Sequence, residues 1–136
     1  MDMSTKATEK YVEGIGRRKT AIARVRISEA GKNSFVINDK SLDDYFPATY
    51  RSIVEAPLKL LELPVKYSVS VHVKGSGPHA QAEAIRHGLS RAILSTDLLL
   101  KGTLKKAGFL KRDSRAVERK HFGFKKARKS SQWSKR

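Results

Sequence analysis

The sequence contains no cysteine and few acidic residues. None of its 136 residues is cysteine, so disulfide bonds and thiolate zinc sites are excluded. Thirteen Asp and Glu residues stand against 29 Lys and Arg residues, which gives a net charge of +16. Because a surplus of that size repels itself in a compact state, it is typical of proteins that bind a polyanion, such as nucleic acid or an acidic membrane surface.

Long hydrophobic runs are also lacking. The longest apolar stretches, such as Leu-Leu-Leu at 98–100, are far too short to span a bilayer. The N-terminal ten residues are polar and include Asp2 and Glu9, unlike a secretory signal or an organelle transit peptide. We interpret residues 1–10 as a short flexible leader, and we expect a cytoplasmic protein with no membrane partner.

The charge is distributed unevenly along the chain. Residues 1–100 contain 15 basic and 11 acidic residues, whereas residues 101–136 contain 14 basic and two acidic residues. The chain length suits one domain with extensions. We therefore predict a globular body at residues 11–110 and a basic C-terminal arm at residues 111–136.

Two segments of the body alternate apolar and polar residues, as β-strands with one buried face do. Residues 20–28 place Arg24 and Arg26 opposite the apolar positions, and residues 65–77 show the clearest alternation. Residues 34–38 follow a turn after the first of these segments. They are predicted to return as the second strand of a hairpin with it.

Four further segments carry apolar residues at helical spacing or begin with helix-capping residues. Pro57 is expected to start or kink a turn of helix, Pro78 suits a first helical position, and Gly108 suits the residue after a helix end. The predicted helices are residues 41–46, 48–63, 78–95 and 97–107. This order of elements predicts a two-layer α+β body with helices on one face of a sheet.

The arm has no apolar period of 2 or 3.6 residues. Fixing its 26 residues costs roughly 1–2 kcal/mol each in backbone entropy, which burial of Phe122, Phe124 and Trp133 cannot offset. The arm is therefore predicted to be disordered alone and to be ordered by RNA phosphates, with its aromatic residues stacking on bases or ribose. The alternative is a solvated charged tail with no specific partner.

Other candidate sites are weaker. The segment GSGPHAQAEAIRHG at 75–88 could cradle a phosphate at a helix start, but it matches no nucleotide-binding motif. His72, His79, His87 and His121 lack metal-ligand spacing and a supporting carboxylate cluster. No catalytic triad or carboxylate pair stands out. We expect no catalytic residues, no metal, no cofactor and no small-molecule substrate.

Three stretches together resemble a known family. They are GIGRRKTAIARVRI at 14–27, GSGPHAQAEAIRHGLSRAIL at 75–94, and the whole of 107–136. In this order they are similar to small ribosomal subunit protein nine of the bacterial type. The resemblance implies a two-layer α/β sandwich like the second domain of ribosomal protein S five, with a left-handed βαβ crossover and a long extended basic tail.

The resemblance also implies a function and a set of contacts. The family is a structural constituent of the small subunit head, so the expected partners are small-subunit rRNA, neighbouring head proteins and the anticodon stem-loop of P-site tRNA. The implied tRNA-binding tip is Ser134, Lys135 and Arg136. The predicted rRNA-binding residues are Arg17, Arg18, Lys19, Arg24, Arg26, Lys74, Arg86, Arg91, Lys111, Arg112, Arg115, Arg119, Lys120, Lys125, Lys126, Arg128 and Lys129.

The chain departs from the family pattern at three positions near the helix that starts at Pro78. Ser76, Ala80 and Glu83 stand where the family usually has glycine. Since glycine permits close approach of RNA, these residues affect the local contact. Two alternatives to the ribosomal assignment remain open on sequence grounds: a general DNA- or RNA-binding protein with a histone-like tail, and a kinase-like enzyme acting on small molecules.

Overall fold

The computed structural model describes residues 10–135. Within this range the chain forms five strands and four α-helices, so the predicted mixture of helices and sheet is confirmed. The leader predicted at residues 1–10 lies, apart from Lys10, outside the described residues, and so does Arg136 of the predicted tip.

The strands of the described range form one mixed sheet with the order β1-β2-β5-β3-β4. β1 pairs antiparallel with β2, β2 with β5, and β3 with β4, whereas β3 and β5 are parallel. The strands are β1 Val12–Arg18, β2 Ala21–Ala30, β3 Ser34–Ile37, β4 Lys40–Ser41 and β5 Lys66–Lys74.

The hairpin predicted between residues 20–28 and 34–38 is wrong. β5 lies between β2 and β3 in the sheet, and the hairpin partner of β2 is β1. Sequence analysis did not identify β1 as a strand, because glycine has low β propensity and alternates here with Ile15 and Arg17. With β1 on one edge and β5 on the other, β2 has no free edge for β3.

The four predicted helices are present. They are α1 Leu42–Tyr45, α2 Ala48–Leu61, α3 Pro78–Thr96 and α4 Lys101–Ala107, and a 3₁₀ turn at Leu98–Leu100 precedes α4. The Ser41 side chain accepts a hydrogen bond from the Asp44 amide at 3.3 Å and so caps α1, as its position predicts. Gly108 ends α4 in the left-handed region at φ +81°.

The core lies between α3 and one face of the sheet. Val25 of β2 and Val71 of β5 alternate with exposed neighbours and are buried against Ile85 and Leu89 of α3, both 0% exposed. Burial of each such side chain contributes about 1.5–3 kcal/mol. The buried face of α3 is an apolar stripe at helical spacing that consists of Ala82, Ile85, Leu89, Ala92 and Ile93.

α3 crosses β1 at backbone-to-backbone distance. A Cβ atom at Gly14 or Gly16 would collide with the carbonyl oxygens of Gly88 and Ala84. Glycine at these two strand positions is therefore a packing requirement of the helix–sheet interface.

The parallel strands β3 and β5 are joined by a connection that contains β4, α1 and α2. This is the strand–helix–strand unit for which the resemblance implies a left-handed crossover. That handedness, and the detailed fold type that the resemblance names, stay predictions.

Candidate nucleic-acid interface

The face of the sheet opposite α3, which we call the open face, carries several of the predicted cations. Arg17 pairs with Ile22, and Ile22 pairs with Lys74, so these side chains form one row across three strands. The next row contains Arg24 and His72, again on neighbouring strands. The cations of these rows are exposed, which places a basic strip across the open face.

Glu13 supplies a negative charge beside this strip. Its carboxylate lies 3.2 Å from Nε of Arg24 and 3.4 Å from Nε of Arg26. The hydrogen bond from Arg24, together with the charge of Arg26, lowers the pKa of Glu13 against the opposing effect of burial. Arg26 also lies over the Tyr11 ring at 4.6 Å, so it is engaged within the protein, whereas Arg24 remains half exposed.

A groove of about 880 Å³ runs between the free edge of β1 and α3. We call it the β1 groove. Its charged and titratable lining consists of Glu13, Arg17, His87, Arg91 and Arg112, and Gly14, Ile15, Leu94 and Ser95 complete it. The groove therefore brings together cations from β1, from α3 and from the start of the arm. These three segments are far apart in sequence.

Two lining groups show how the groove is built. Nη1 of Arg91 donates to the Ile15 carbonyl oxygen at 2.7 Å, so this arginine is held against the edge of β1. Nδ1 of His87 is buried without a hydrogen-bond partner in the described residues. Burial and the nearby Arg91 lower the pKa of His87, although the Leu110 backbone acts in the opposite direction. The neutral form of His87 is thus favoured beside the guanidinium groups of the groove.

Arg18 lies on the other side of β1 from Arg17 and has a different environment. Its Nε donates to Glu83 Oε2 at 2.6 Å, and its Nη1 donates to the Arg115 carbonyl oxygen at 2.7 Å. Nη1 also lies 3.3 Å from Asp113 Oδ1. We call Arg18, Glu83, Asp113 and Arg115 the Arg18 cluster. Its members come from β1, α3 and the arm.

Two predicted cations occupy other positions on the body. Arg86 is half-buried with its guanidinium 5.1 Å from the centre of the Phe109 ring. Lys19 is exposed in the β1–β2 turn with φ +51°.

The described part of the arm contains no helix, and its β-structure is a single bridge between Phe124 and Ser130. Phe122 is 99% exposed and Trp133 is 81% exposed, so neither aromatic packs on the body. The Arg128 guanidinium pairs with Glu118 at 2.9 Å. The predicted arm cations are exposed, namely Lys111, Arg112, Arg115, Arg119, Lys120, Lys125, Lys126, Arg128 and Lys129, as are Ser134 and Lys135 of the tip.

The turn before α3 explains one departure from the resembled family. Ser76 has φ +56°, in the left-handed region that glycine adopts without strain. Gly75 has φ +86°, and a Cβ atom there would lie 2.5 Å from the Thr20 carbonyl oxygen. A serine at 76 is therefore tolerated at a conformational cost, whereas position 75 requires glycine.

The histidines lie apart from one another. His72 is on the open face, His79 pairs with Glu83 at 3.2 Å, and His87 lines the β1 groove. Across residues 10–135, no three His, Asp or Glu side chains are grouped to hold a metal ion. In the same part of the chain, no helix has the length and apolar character needed to cross a membrane.

Sequence reasoning found the cations but not their arrangement. It did not place His87 in a groove and did not pair Arg18 with Glu83. The signal for that pair was weak: an acid on the first turns of α3 and an arginine 65 positions earlier.

A comparison with known families supplies the remaining finding. The model of a family described as ribosomal protein S9/S16 matches residues 16–136.

Proposed function

The chain belongs to the ribosomal protein S9 family, and from this membership we propose that its body docks on small-subunit rRNA through the β1 groove and the adjoining open face. The family is structural and non-enzymatic, and its members are rRNA-binding constituents of the small ribosomal subunit that act in translation.

The convergence of cations around β1 supports the body contact. Arg17 reaches both the open face and the β1 groove, where Arg91 and Arg112 join it. Arginine suits this task because its planar fork binds phosphate oxygens in pairs. A phosphodiester backbone laid along the groove would neutralise three guanidinium groups that otherwise repel one another.

The composition and exposure of the arm support a second contact. Its cations project from a segment without regular structure, and the side chains of Phe122 and Trp133 are free to stack on bases. We infer that the arm is disordered without RNA and threads among rRNA phosphates in the subunit head. In this proposal Ser134, Lys135 and Arg136 reach the anticodon stem-loop of P-site tRNA. Neighbouring head proteins complete the set of partners.

A truncation tests the contribution of the arm. We expect the full-length chain to bind small-subunit rRNA with a steep dependence of affinity on salt, because each phosphate contact adds roughly 0.7–0.9 to the log–log slope. Removal of residues 111–136 should flatten that slope by several contacts while the body stays folded. Equal slopes for the two proteins would refute the electrostatic role of the arm.

A shorter deletion tests the tip. Removal of Lys135 and Arg136 alone should leave subunit assembly intact and weaken tRNA binding at the P site. Unchanged tRNA affinity in reconstituted subunits would exclude a tip contact.

Stoichiometric recovery of the chain in small subunits would separate this function from that of a general nucleic-acid-binding protein, which would be recovered with chromosomal DNA.

A further inference from the structure

Adjacent arginines at the end of β1 have opposite roles. We propose that Arg18 is a positioning residue: with Glu83 and Asp113 it fixes the first residues of the arm to the body before RNA binds, and it thereby completes the β1 groove. The role of the groove rests on the proposed function. The attachment of the arm does not, and it can be tested without RNA.

The strand period places Arg18 on the side of the sheet that faces α3. It follows Gly14 and Gly16 at intervals of two residues, and its side chain is 11% exposed. A guanidinium so far from water requires hydrogen-bond acceptors and a counter-charge within the protein. Arg18 is therefore not free to bind phosphate, whereas the exposed Arg17 is.

The acceptors of Arg18 come from two distant parts of the chain. Glu83 on α3 accepts from Nε at 2.6 Å, and the arm supplies the Arg115 carbonyl oxygen at 2.7 Å together with the Asp113 carboxylate at 3.3 Å. The guanidinium of Arg18 thus connects β1, α3 and residues 112–115, which we call the arm root. A charge-assisted fork of this kind is directional as well as strong.

Asp113 is an acidic residue in a strongly basic segment, and its hydrogen bonds account for its position there. It is one of two acidic residues among the last 36, in a region where a negative charge would weaken RNA binding. Its Oδ1 accepts from the Arg115 amide at 3.0 Å, and its Oδ2 lies 2.9 Å from Nη2 of the same residue. These bonds shape the turn whose carbonyl group Arg18 holds, so the acid stabilises the root of the arm.

The groove depends on this attachment. Arg112 immediately precedes Asp113 and lines the β1 groove beside Arg17 and Arg91. Without the carboxylates of the Arg18 cluster, repulsion from these two arginines would drive Arg112 away. The proposal therefore moves the start of the disordered segment from residue 111 to the residue after Arg115, and it makes Arg112 part of a preorganised site.

Glu83→Gln gives the sharpest test with RNA. This variant removes a negative charge, so simple electrostatics predicts tighter binding to rRNA. The proposal predicts binding weaker by about tenfold, since re-ordering even one residue of a released arm root costs about that factor in affinity. Glu55→Gln is the matched control, because Glu55 pairs with Lys59 on α2 at 2.9 Å and loses the same charge. Its affinity should be unchanged or slightly higher.

Backbone ¹⁵N relaxation of the full-length, RNA-free protein provides the independent readout. Residues 112–115 should be as rigid as the body in the wild type and in Arg17→Gln, and mobile in Glu83→Gln and Asp113→Asn. Asp113 lies near the surface, so Asp113→Asn tests the proposal even if Glu83→Gln does not fold.

Two results would overturn the proposal. One is a wild-type arm in which residues 112–115 are as mobile as the tip. The other is tighter rRNA binding by both Glu83→Gln and Asp113→Asn. Loss of rRNA binding by the wild type itself would instead contradict the proposed function, while the relaxation data would still decide whether Arg18 holds the arm.

Discussion

The cations of the body and those of the arm differ in their acidic partners. In the body, Arg18, Arg24 and Arg26 each lie within 3.4 Å of a carboxylate oxygen. In the described part of the arm, two arginines pair with the two acids of the arm, whereas Lys125, Lys126 and Lys129 form no ion pair and have exposed side chains. The difference shows that sequence charge alone does not tell which cations are already paired within the protein. We expect the cations without an acidic partner to be the ones available to RNA.

The largest expected effect is on the stability of the body and leaves the charge of the arm unchanged. Gly16→Val should destabilise the body by about 3 kcal/mol or more, because the added side chain collides with the α3 backbone at Ala84. Chemical denaturation followed by circular dichroism measures the change in the free energy of unfolding. The arm should still bind RNA non-specifically in this variant, since its charge does not depend on the body.

Gly102→Ala is the control for that substitution. Gly102 lies in α4 with no atom within 4 Å of an added Cβ, so alanine should stabilise the helix by about 0.5–1 kcal/mol. Similar free energies of unfolding for the two variants would contradict the close approach of α3 and β1.

An effect of intermediate size concerns His87, which tests whether RNA enters the β1 groove. Its pKa is lowered in the free protein by burial and by Arg91, so the neutral form is favoured. A phosphate in the groove should raise that pKa. Binding would then take up a proton, and affinity should rise as the pH falls from the raised pKa of the complex toward the lowered pKa of the free protein, by at most about tenfold per pH unit.

NMR titration of the His87 ring with and without rRNA measures this shift directly. In His87→Gln the contribution of this side chain to the pH dependence of affinity should disappear. An unchanged His87 pKa in the complex would mean that the body meets RNA elsewhere, for example on the open face alone.

The smallest expected effect concerns the turn before α3. Ser76→Gly should stabilise the body by roughly 0.5–1 kcal/mol, because φ +56° is strained for serine and permitted for glycine. Ser76→Ala retains the strain and serves as the control in thermal denaturation. Equal stability of the two variants would contradict the left-handed conformation at this residue.

Local patterns predicted the elements well but predicted their partners poorly. The Val alternation of β5 and the Pro78 start of α3 are local signals, and both elements appear where the sequence placed them. β1 was missed because its glycines are required by the close approach of α3. The residues of α3 that approach them lie about 70 positions later in the sequence. The β2–β3 hairpin was predicted wrongly because strand neighbours depend on long-range pairing.

The candidate site shows the same limit. Its cations are visible in the sequence, but the groove that joins Arg17, Arg91 and Arg112 exists only after β1, α3 and the arm root have met. The buried character of Arg18 follows from a partner 65 positions away and another 97 positions away. No local pattern distinguishes Arg18 from the exposed Arg17 beside it.

The separation of Arg18 from Arg115 bears on the order of events during synthesis. Arg18 is synthesised 97 positions before the residue whose carbonyl group it binds. Domains generally fold as units from the N-terminal side as the chain emerges. Until residues 113–115 are made, the β1 end of the sheet therefore holds a guanidinium that lacks the acceptors supplied by the arm. Attachment of the arm is a late step, which follows the formation of the sheet and α3.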